Sequence, residues 1–185
     1  GDDFMVPSTI PVGGRNSQIN NDFSAKQSRI FFKTTTNTDI GDVGTYIEID
    51  FQTNSQGSER ITNAYSPRLR HAFMTFQDFT IGQTWSTFHD VSVLPENLDF
   101  VGPVGTIFNR QAQIRYSPGN WDFAIENPDS NVYDRAGAST NHDNNSTPDL
   151  VARYNAPLDT GHASVAVLGR EVAITEGGER EKSYG

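Results

Sequence analysis

The sequence lacks cysteine altogether and has no long apolar stretch. Without cysteine it forms neither a disulfide framework nor a thiolate metal site. No apolar run approaches the roughly 18 residues that a membrane-spanning helix needs. Basic residues are also few, since 14 Lys and Arg stand against 23 Asp and Glu. The net charge of −9 argues against a nucleic-acid-binding protein. The 185 residues are enough for one ordinary domain, which is either soluble or meets a membrane without a spanning helix.

What the sequence does contain is an alternation of apolar and polar residues with a period of two. In residues 45–53, for example, Ile47 and Ile49 alternate with Glu48 and Asp50. This pattern predicts β-strands, separated here by clusters of Gly, Asn, Asp, Ser and Pro. We expect eight strands, over residues 24–35, 45–53, 68–76, 79–85, 107–116, 121–126, 150–156 and 162–170.

Alternation also assigns each side chain to a face of the predicted sheet. In the third strand it places His71 and Phe73 on the apolar face with Leu69, opposite Arg68 and Arg70. A slip of one residue would reverse every such assignment.

The connections between the strands alternate between short and long. Tight hairpin links are expected at residues 77–78, 117–120 and 158–161, and an intermediate link at 37–44. The long connections are 54–67, 86–106 and 127–149. In an antiparallel meander this order places every long loop at one end. That layout is typical of an outer-membrane β-barrel.

A soluble β-sandwich is the main structural alternative, because it also alternates apolar and polar residues. As a carbohydrate-binding module, it would expose Trp85, Trp121 and Phe123 on one sheet face. The barrel is favoured because the polar faces are strongly charged and the apolar faces continuous, and because aromatic residues stand near strand ends, where an interfacial girdle needs them. These are Phe79, Trp85, Tyr116, Trp121 and Tyr154.

Charge is distributed unevenly between strands and loops. The predicted strands hold nine of the basic residues but only four of the acidic ones. Most of these charges project to the face opposite the apolar one, which predicts a basic, water-filled lumen that favours anions. Each arginine could equally be held in a salt bridge to a neighbouring acid. The candidate pore-lining and substrate-binding residues are Arg29, Lys33, Glu48, Asp50, Arg68, Arg70, Gln113, Arg115 and Arg153.

The sequence shows no catalytic, cofactor or metal motif. The four histidines do not have helical metal-ligand spacing, and no nucleophile motif lies beside them. Residues 129–149 are rich in Asp and Asn and could bind Ca²⁺, but they lack an EF-hand pattern and are better read as a solvated loop. Residues 86–106 are too apolar for a solvated loop, so we expect them to fold into the lumen or against a neighbouring subunit. We therefore expect that the protein is not an enzyme and that it binds no cofactor and no metal.

Several short motifs, in order, resemble the DcaP-like family of Gram-negative outer-membrane porins. The likeness covers about the first 130 residues. It implies a sixteen-strand, homotrimeric diffusion porin in the outer membrane, in contact with lipid and lipopolysaccharide, that admits small anionic solutes such as dicarboxylates. The motifs are Val6-Pro-Ser-Thr-Ile10, Gln27-Ser-Arg-Ile30, Arg70-His-Ala-Phe73, Gly82-Gln-Thr-Trp85, Leu94-Pro-Glu-Asn-Leu-Asp-Phe100 and Phe108-Asn-Arg-Gln111.

The chain is too short for a sixteen-strand barrel. We expect residues 1–185 to be one part of a larger barrel domain. This part lacks the N-terminal strand and about seven C-terminal strands of the whole barrel. In this interpretation, residues 1–23 form an extracellular loop, 24–170 carry the eight strands, and 171–185 begin another extracellular loop.

Overall fold

The computed structural model describes residue 13 and residues 23–52, 64–96, 109–133, 139–142, 145–176 and 179–185. Within these ranges the regular secondary structure consists of β-strands and one short 3-10 turn at Val91–Val93. No helix in this part of the chain is long and apolar enough to cross a membrane. The strands are β1 (Ile30–Thr38), β2 (Gly41–Asp50), β3 (Arg68–Phe76), β4 (Phe79–Trp85), β5 (Arg110–Tyr116), β6 (Trp121–Glu126), β7 (Ser130–Tyr133), β8 (Ser139–His142), β9 (Asp149–Leu158), β10 (Gly161–Gly169), β11 (Glu171–Glu176) and β12 (Glu179–Tyr184).

Eight of these strands form one antiparallel sheet in the order β1-β2-β3-β4-β5-β6-β9-β10. The predicted all-β class and the pairing of consecutive strands are confirmed. β7 and β8 form a separate hairpin inside the third long connection, and β11 and β12 form another after residue 170. The first strand occupies 30–38 rather than 24–35, so the link to β2 is a two-residue turn.

The turns of the eight-stranded sheet alternate in length as expected. Residues 39–40, 77–78, 117–120 and 159–160 close its hairpins at one end of the sheet. The long connections, at residues 51–67, 86–109 and 127–148, all leave from the opposite end. We call these the turn end and the loop end of the sheet.

The two faces of the sheet differ sharply in chemistry. In the described residues, buried polar or charged side chains number 15, whereas the buried hydrophobic residues are Ala124, Val151 and Ala173. Large apolar side chains from the paired strands are instead exposed on the opposite face. Among them are Ile30, Phe32, Ile47, Leu69, Ile81, Ile114, Phe123, Ile125, Leu150, Val165 and Val167.

This arrangement excludes the sandwich alternative. A sandwich buries the apolar faces of two sheets against each other. Here the eight strands belong to one sheet, and its apolar face is uncovered while its polar face is buried. An uncovered apolar face of this extent requires an apolar surrounding such as lipid.

A β-bulge in β3 changes the predicted assignment of side chains to faces. Glu48 pairs with His71, but the next residue of β2, Ile49, pairs with Leu69, which leaves Arg70 as the extra residue. A bulge shifts the alternation by one residue. His71 and Phe73 therefore lie on the polar face, and their prediction for the apolar face was wrong.

The aromatic residues near strand ends divide into two groups. At the turn end, the rings of Phe79 and Tyr116 lie 4.9 Å apart and those of Trp121 and Tyr154 lie 4.8 Å apart. These positions match an interfacial girdle at that end. Trp85 does not belong to this girdle, because it ends β4 at the loop end of the sheet. Its ring lies 5.5 Å from that of His71, which is on the polar face.

Candidate functional site

The first group of predicted site residues forms an ion-pair cluster on the polar face of β2 and β3. Arg68 donates from Nε and Nη2 to the two carboxylate oxygens of Asp50, at 2.8 and 2.6 Å. Arg70 donates from Nη1 to Asp50 at 2.9 Å and from Nε to Glu48. Arg68 and Arg70 flank Leu69, which points to the apolar face, so both arginines lie on the polar face and reach Asp50.

The cluster is largely closed to water. Arg70 is 3% exposed and Asp50 is 1% exposed, while the side chain of Arg68 keeps 30% of its surface. Two cations and two carboxylates nearly balance each other here. The salt-bridge alternative therefore describes Arg68 and Arg70 better than a role as freely hydrated pore cations.

A second cluster lies on β6 and β9. Asp122 accepts two hydrogen bonds from Arg153, at 3.0 and 2.7 Å, and one each from Ser117 at 2.7 Å and Asn155 at 2.9 Å. Three of these hydrogen bonds end on Oδ2 of Asp122 and one on Oδ1. Arg153 is thus also paired with an acid.

The remaining predicted cations differ in their surroundings. Arg29 and Lys33 are exposed, and Lys33 pairs in register with Tyr46 on the polar face. Arg115 bonds the hydroxyl of Thr87 at 2.8 Å, the side-chain oxygen of Gln113 at 3.0 Å and the carbonyl of Trp85 at 2.6 Å. None of these three partners of Arg115 is a carboxylate. Gln113 itself is 5% exposed.

Residues 86–93, which we call the inner segment, cross the polar face from β5 to β10. The segment begins at the loop end, where Glu126 accepts hydrogen bonds from the hydroxyl of Ser86 at 2.7 Å and the backbone amide of Thr87 at 2.6 Å. Thr87 also donates to Gln113 at 2.9 Å. Further along, Arg153 of β9 donates to the carbonyl of His89.

The inner segment ends at the turn end of the sheet. His162, the second residue of β10, contacts the carboxylate of Asp90, which also accepts from Ser164 at 3.2 Å. Burial opposes ionisation of Asp90, but hydrogen bonds from Ser92 and His162 outweigh it and lower the pKa of Asp90 to about 2. The segment is therefore tied to the sheet at both ends by carboxylate hydrogen bonds.

This connection was expected either in the lumen or against a neighbouring subunit. The structure places residues 86–93 on the polar face of the sheet, but the cause differs from the expected one. Polar contacts hold the segment, whereas Val91 and Val93 remain 39% and 64% exposed. Residues 97–108, which include the predicted Leu98, Phe100 and Pro103, lie outside the described residues. The sequence signal for the observed contacts is the polar run Ser86-Thr87, with His89-Asp90 after it.

Only part of residues 129–149, the candidate Ca²⁺-binding connection, lies within the described residues. Its ends and the β7–β8 strands are described, and residues 134–138 and 143–144 lie outside the described residues. In the described part of the chain, no group of three or more His, Asp or Glu side chains is arranged to hold a metal ion.

Comparison with known proteins agrees with this two-faced sheet. A family model described as DcaP outer membrane protein matches residues 6–121, more than half of the chain. The chain belongs to the DcaP outer membrane protein family. The resemblance seen in the sequence motifs is confirmed, and so is location in the outer membrane.

A solved structure of the same family extends the comparison. The chain is similar to the outer membrane channel DcaP of Acinetobacter baumannii, with 26% sequence identity and a TM-score of 0.68. The match covers 87% of this chain and 46% of that channel, so the chain spans about half the length of its structural relative. No curated protein matches the sequence.

Proposed function

We propose that the full-length protein of this DcaP family member is an outer-membrane diffusion porin for small hydrophilic solutes, with a preference for anionic, dicarboxylate-like ones. The observation that carries the proposal is the sheet with an exposed apolar face and a charged polar face. Closed with the polar face inward, such a sheet makes a barrel with a hydrated lumen and a lipid-facing exterior. Solutes would pass through it without chemical conversion.

The anion preference rests on the cations that do not belong to the two ion-pair clusters. Arg29 and Lys33 are exposed on the polar side, and Arg115 bonds neutral oxygen atoms. In contrast, Arg68, Arg70 and Arg153 are offset by Asp50, Glu48 and Asp122. Exposed cations in a narrow lumen raise the local concentration of anions, and guanidinium groups match carboxylates.

Reversal potentials in planar bilayers test this preference. We expect the unmodified protein to pass anions better than cations, and the preference to fade at high salt, where the screening length falls from about 10 Å at 0.1 M to about 3 Å at 1 M. Reversing Arg29 and Lys33 together to Glu should lower anion permeability. Reversing Arg135, in the connection after β7, is the control.

Two results would contradict the anion preference. One is cation selectivity in the unmodified protein. The other is an equal effect of the Arg135 control and of the Arg29 and Lys33 double reversal, because Arg135 lies in sequence between β7 and β8 and belongs to no strand of the eight-stranded sheet.

We also propose a homotrimer surrounded by outer-membrane lipid and lipopolysaccharide. The support is the exposed apolar face, part of which a trimer would cover. Cross-linking of the full-length protein in detergent should give a trimer, and recovery of monomer alone would count against it.

A further inference from the structure

A row of ring side chains crosses the polar face of the first four strands, although most other residues of this face are polar or charged. We call it the aromatic row, and it consists of Phe31, Tyr46, Phe73, His71 and Trp85. Adjacent ring centroids lie 5.9 Å apart for Phe31 and Tyr46 and 5.5 Å apart for Tyr46 and Phe73. The row continues through His71, 6.3 Å from Phe73 and 5.5 Å from Trp85. Each spacing is in the range of favourable ring contacts.

Four members of the aromatic row, Tyr46, Phe73, His71 and Trp85, line an open cleft of about 360 Å³. This volume lies within the range of about 300–1,000 Å³ that is typical of small-molecule sites. Gly82 lies directly opposite Phe73 in the sheet and places no side chain on this face. The cleft thus presents ring surfaces on a polar face. This face does not pack into a hydrophobic core, so core packing does not explain the rings.

Charged and polar groups surround the same cleft. Arg29, Glu48, Arg70 and Thr84 line it beside the rings of Tyr46, Phe73 and Trp85. Glu48 accepts from the Tyr46 hydroxyl at 2.6 Å and from Arg70, and each carboxylate oxygen has a second lone pair. The cleft therefore offers hydrogen-bond acceptors as well as donors next to flat apolar surfaces.

Resting on the proposed diffusion channel, we infer that the aromatic row is a binding subsite for pyranose sugar rings. A pyranose has a flat C–H face that packs on aromatic rings, and its hydroxyl groups both donate and accept hydrogen bonds. The exposed Arg29 supplies donors at the edge of the cleft, and the remaining lone pairs of Glu48 supply acceptors. A carboxylate ligand would use only the hydrogen-bond donors of the cleft, and the like charge of Glu48 would repel it. The subsite thus extends the solutes beyond simple anions.

Maltose is the probe for this subsite, in single-channel recordings of the full-length protein in planar bilayers. We expect maltose to interrupt the ion current in a concentration-dependent manner, and sorbitol, an acyclic polyol, not to do so. Replacing Tyr46 and Phe73 together by Leu keeps apolar volume but removes the ring faces, and should weaken maltose binding about tenfold. Trp121→Leu, on the apolar face, is the matched control and should leave binding unchanged.

Three results would overturn the inference: maltose no better than sorbitol, a double variant that binds maltose normally, or interruption by benzoate but not by maltose. The last result would assign the row to anionic rings. Calorimetric titration of maltose into the detergent-solubilised protein tests the subsite independently of current. If current is absent but maltose binds, the channel proposal fails alone. If anion-selective current is present without maltose binding, only the subsite fails.

Discussion

Arg70 is the cation whose removal should cost the protein most stability. Its guanidinium lies between Glu48 and Asp50 and is almost fully buried. Replacing it with Met keeps the apolar part of the side chain but removes the ion-pair partner of the buried Glu48, while Asp50 keeps Arg68. Breaking a buried ion pair by removing one partner typically costs about 3–5 kcal/mol.

Arg68 provides the matched comparison. It bonds the same Asp50 through two nitrogen atoms, but its side chain is 30% exposed, and Asp50 keeps Arg70 when Arg68 is lost. Partial exposure screens this pair, so Arg68→Met should cost about 1 kcal/mol. The structure therefore predicts a gap of about 2 kcal/mol or more between the two variants.

The assay is urea unfolding of the full-length protein in lipid vesicles, followed by tryptophan fluorescence, with heat-dependent gel mobility as a second readout. Adding Glu48→Gln to Arg70→Met removes one unpaired charge and should recover part of the lost stability. Equal unfolding midpoints for Arg70→Met and Arg68→Met, or no recovery in the double variant, would refute the buried cluster.

Two further predictions concern the inner segment and the close approach of β3 and β4. The pKa of Asp90 is lowered from 3.8 to about 2, so its carboxylate is fully ionised and holds His162 when the pH is above 3.8. The contact with His162 is lost as pH falls through about 2. Single-channel conductance should therefore rise between pH 4 and pH 2, and Asp90→Asn should remove this step; a step that survives Asp90→Asn would contradict the contact. Gly82→Ala should lower the free energy of unfolding by about 1–3 kcal/mol, because φ is +125° and the new Cβ would lie 2.3 Å from the carbonyl oxygen of Ala72. Gly169→Ala, whose Cβ would lie 3.9 Å from the carbonyl oxygen of Leu150, should change stability little in the same urea assay, and equal losses would count against the close approach.

The strands and their order were predictable because alternation and turn chemistry are local. Residues 45–53 show the two-residue period without interruption, and β2 was accordingly found over Gly41–Asp50. Four strands were not expected, in the β7–β8 and β11–β12 hairpins. Their segments lack the clear alternation of β2, because they do not contribute a continuous apolar row to the main sheet.

The β-bulge was harder to predict, because it depends on which residues of two strands pair. The local signal is the polar doublet Arg70-His71 within a strand that otherwise alternates. Two successive polar residues in a strand indicate an extra residue when both are needed on one face. Correct use of this signal would have placed His71 and Phe73 beside Tyr46, and so would have revealed most of the aromatic row.

The partners of the buried charges could not be predicted from the sequence, since they join residues far apart in the chain. Glu126, for example, is met by the amide of Thr87 and the hydroxyl of Ser86, about 40 residues earlier. With the strands as the structure places them, the eight-stranded sheet carries six basic and six acidic residues, so the expected excess of basic residues is not found. Arg70 and Arg153 hold acids that would otherwise be buried without a counter-charge. The proposed anion preference therefore rests on Arg29, Lys33 and Arg115, whereas Arg70 and Arg153 stabilise the wall.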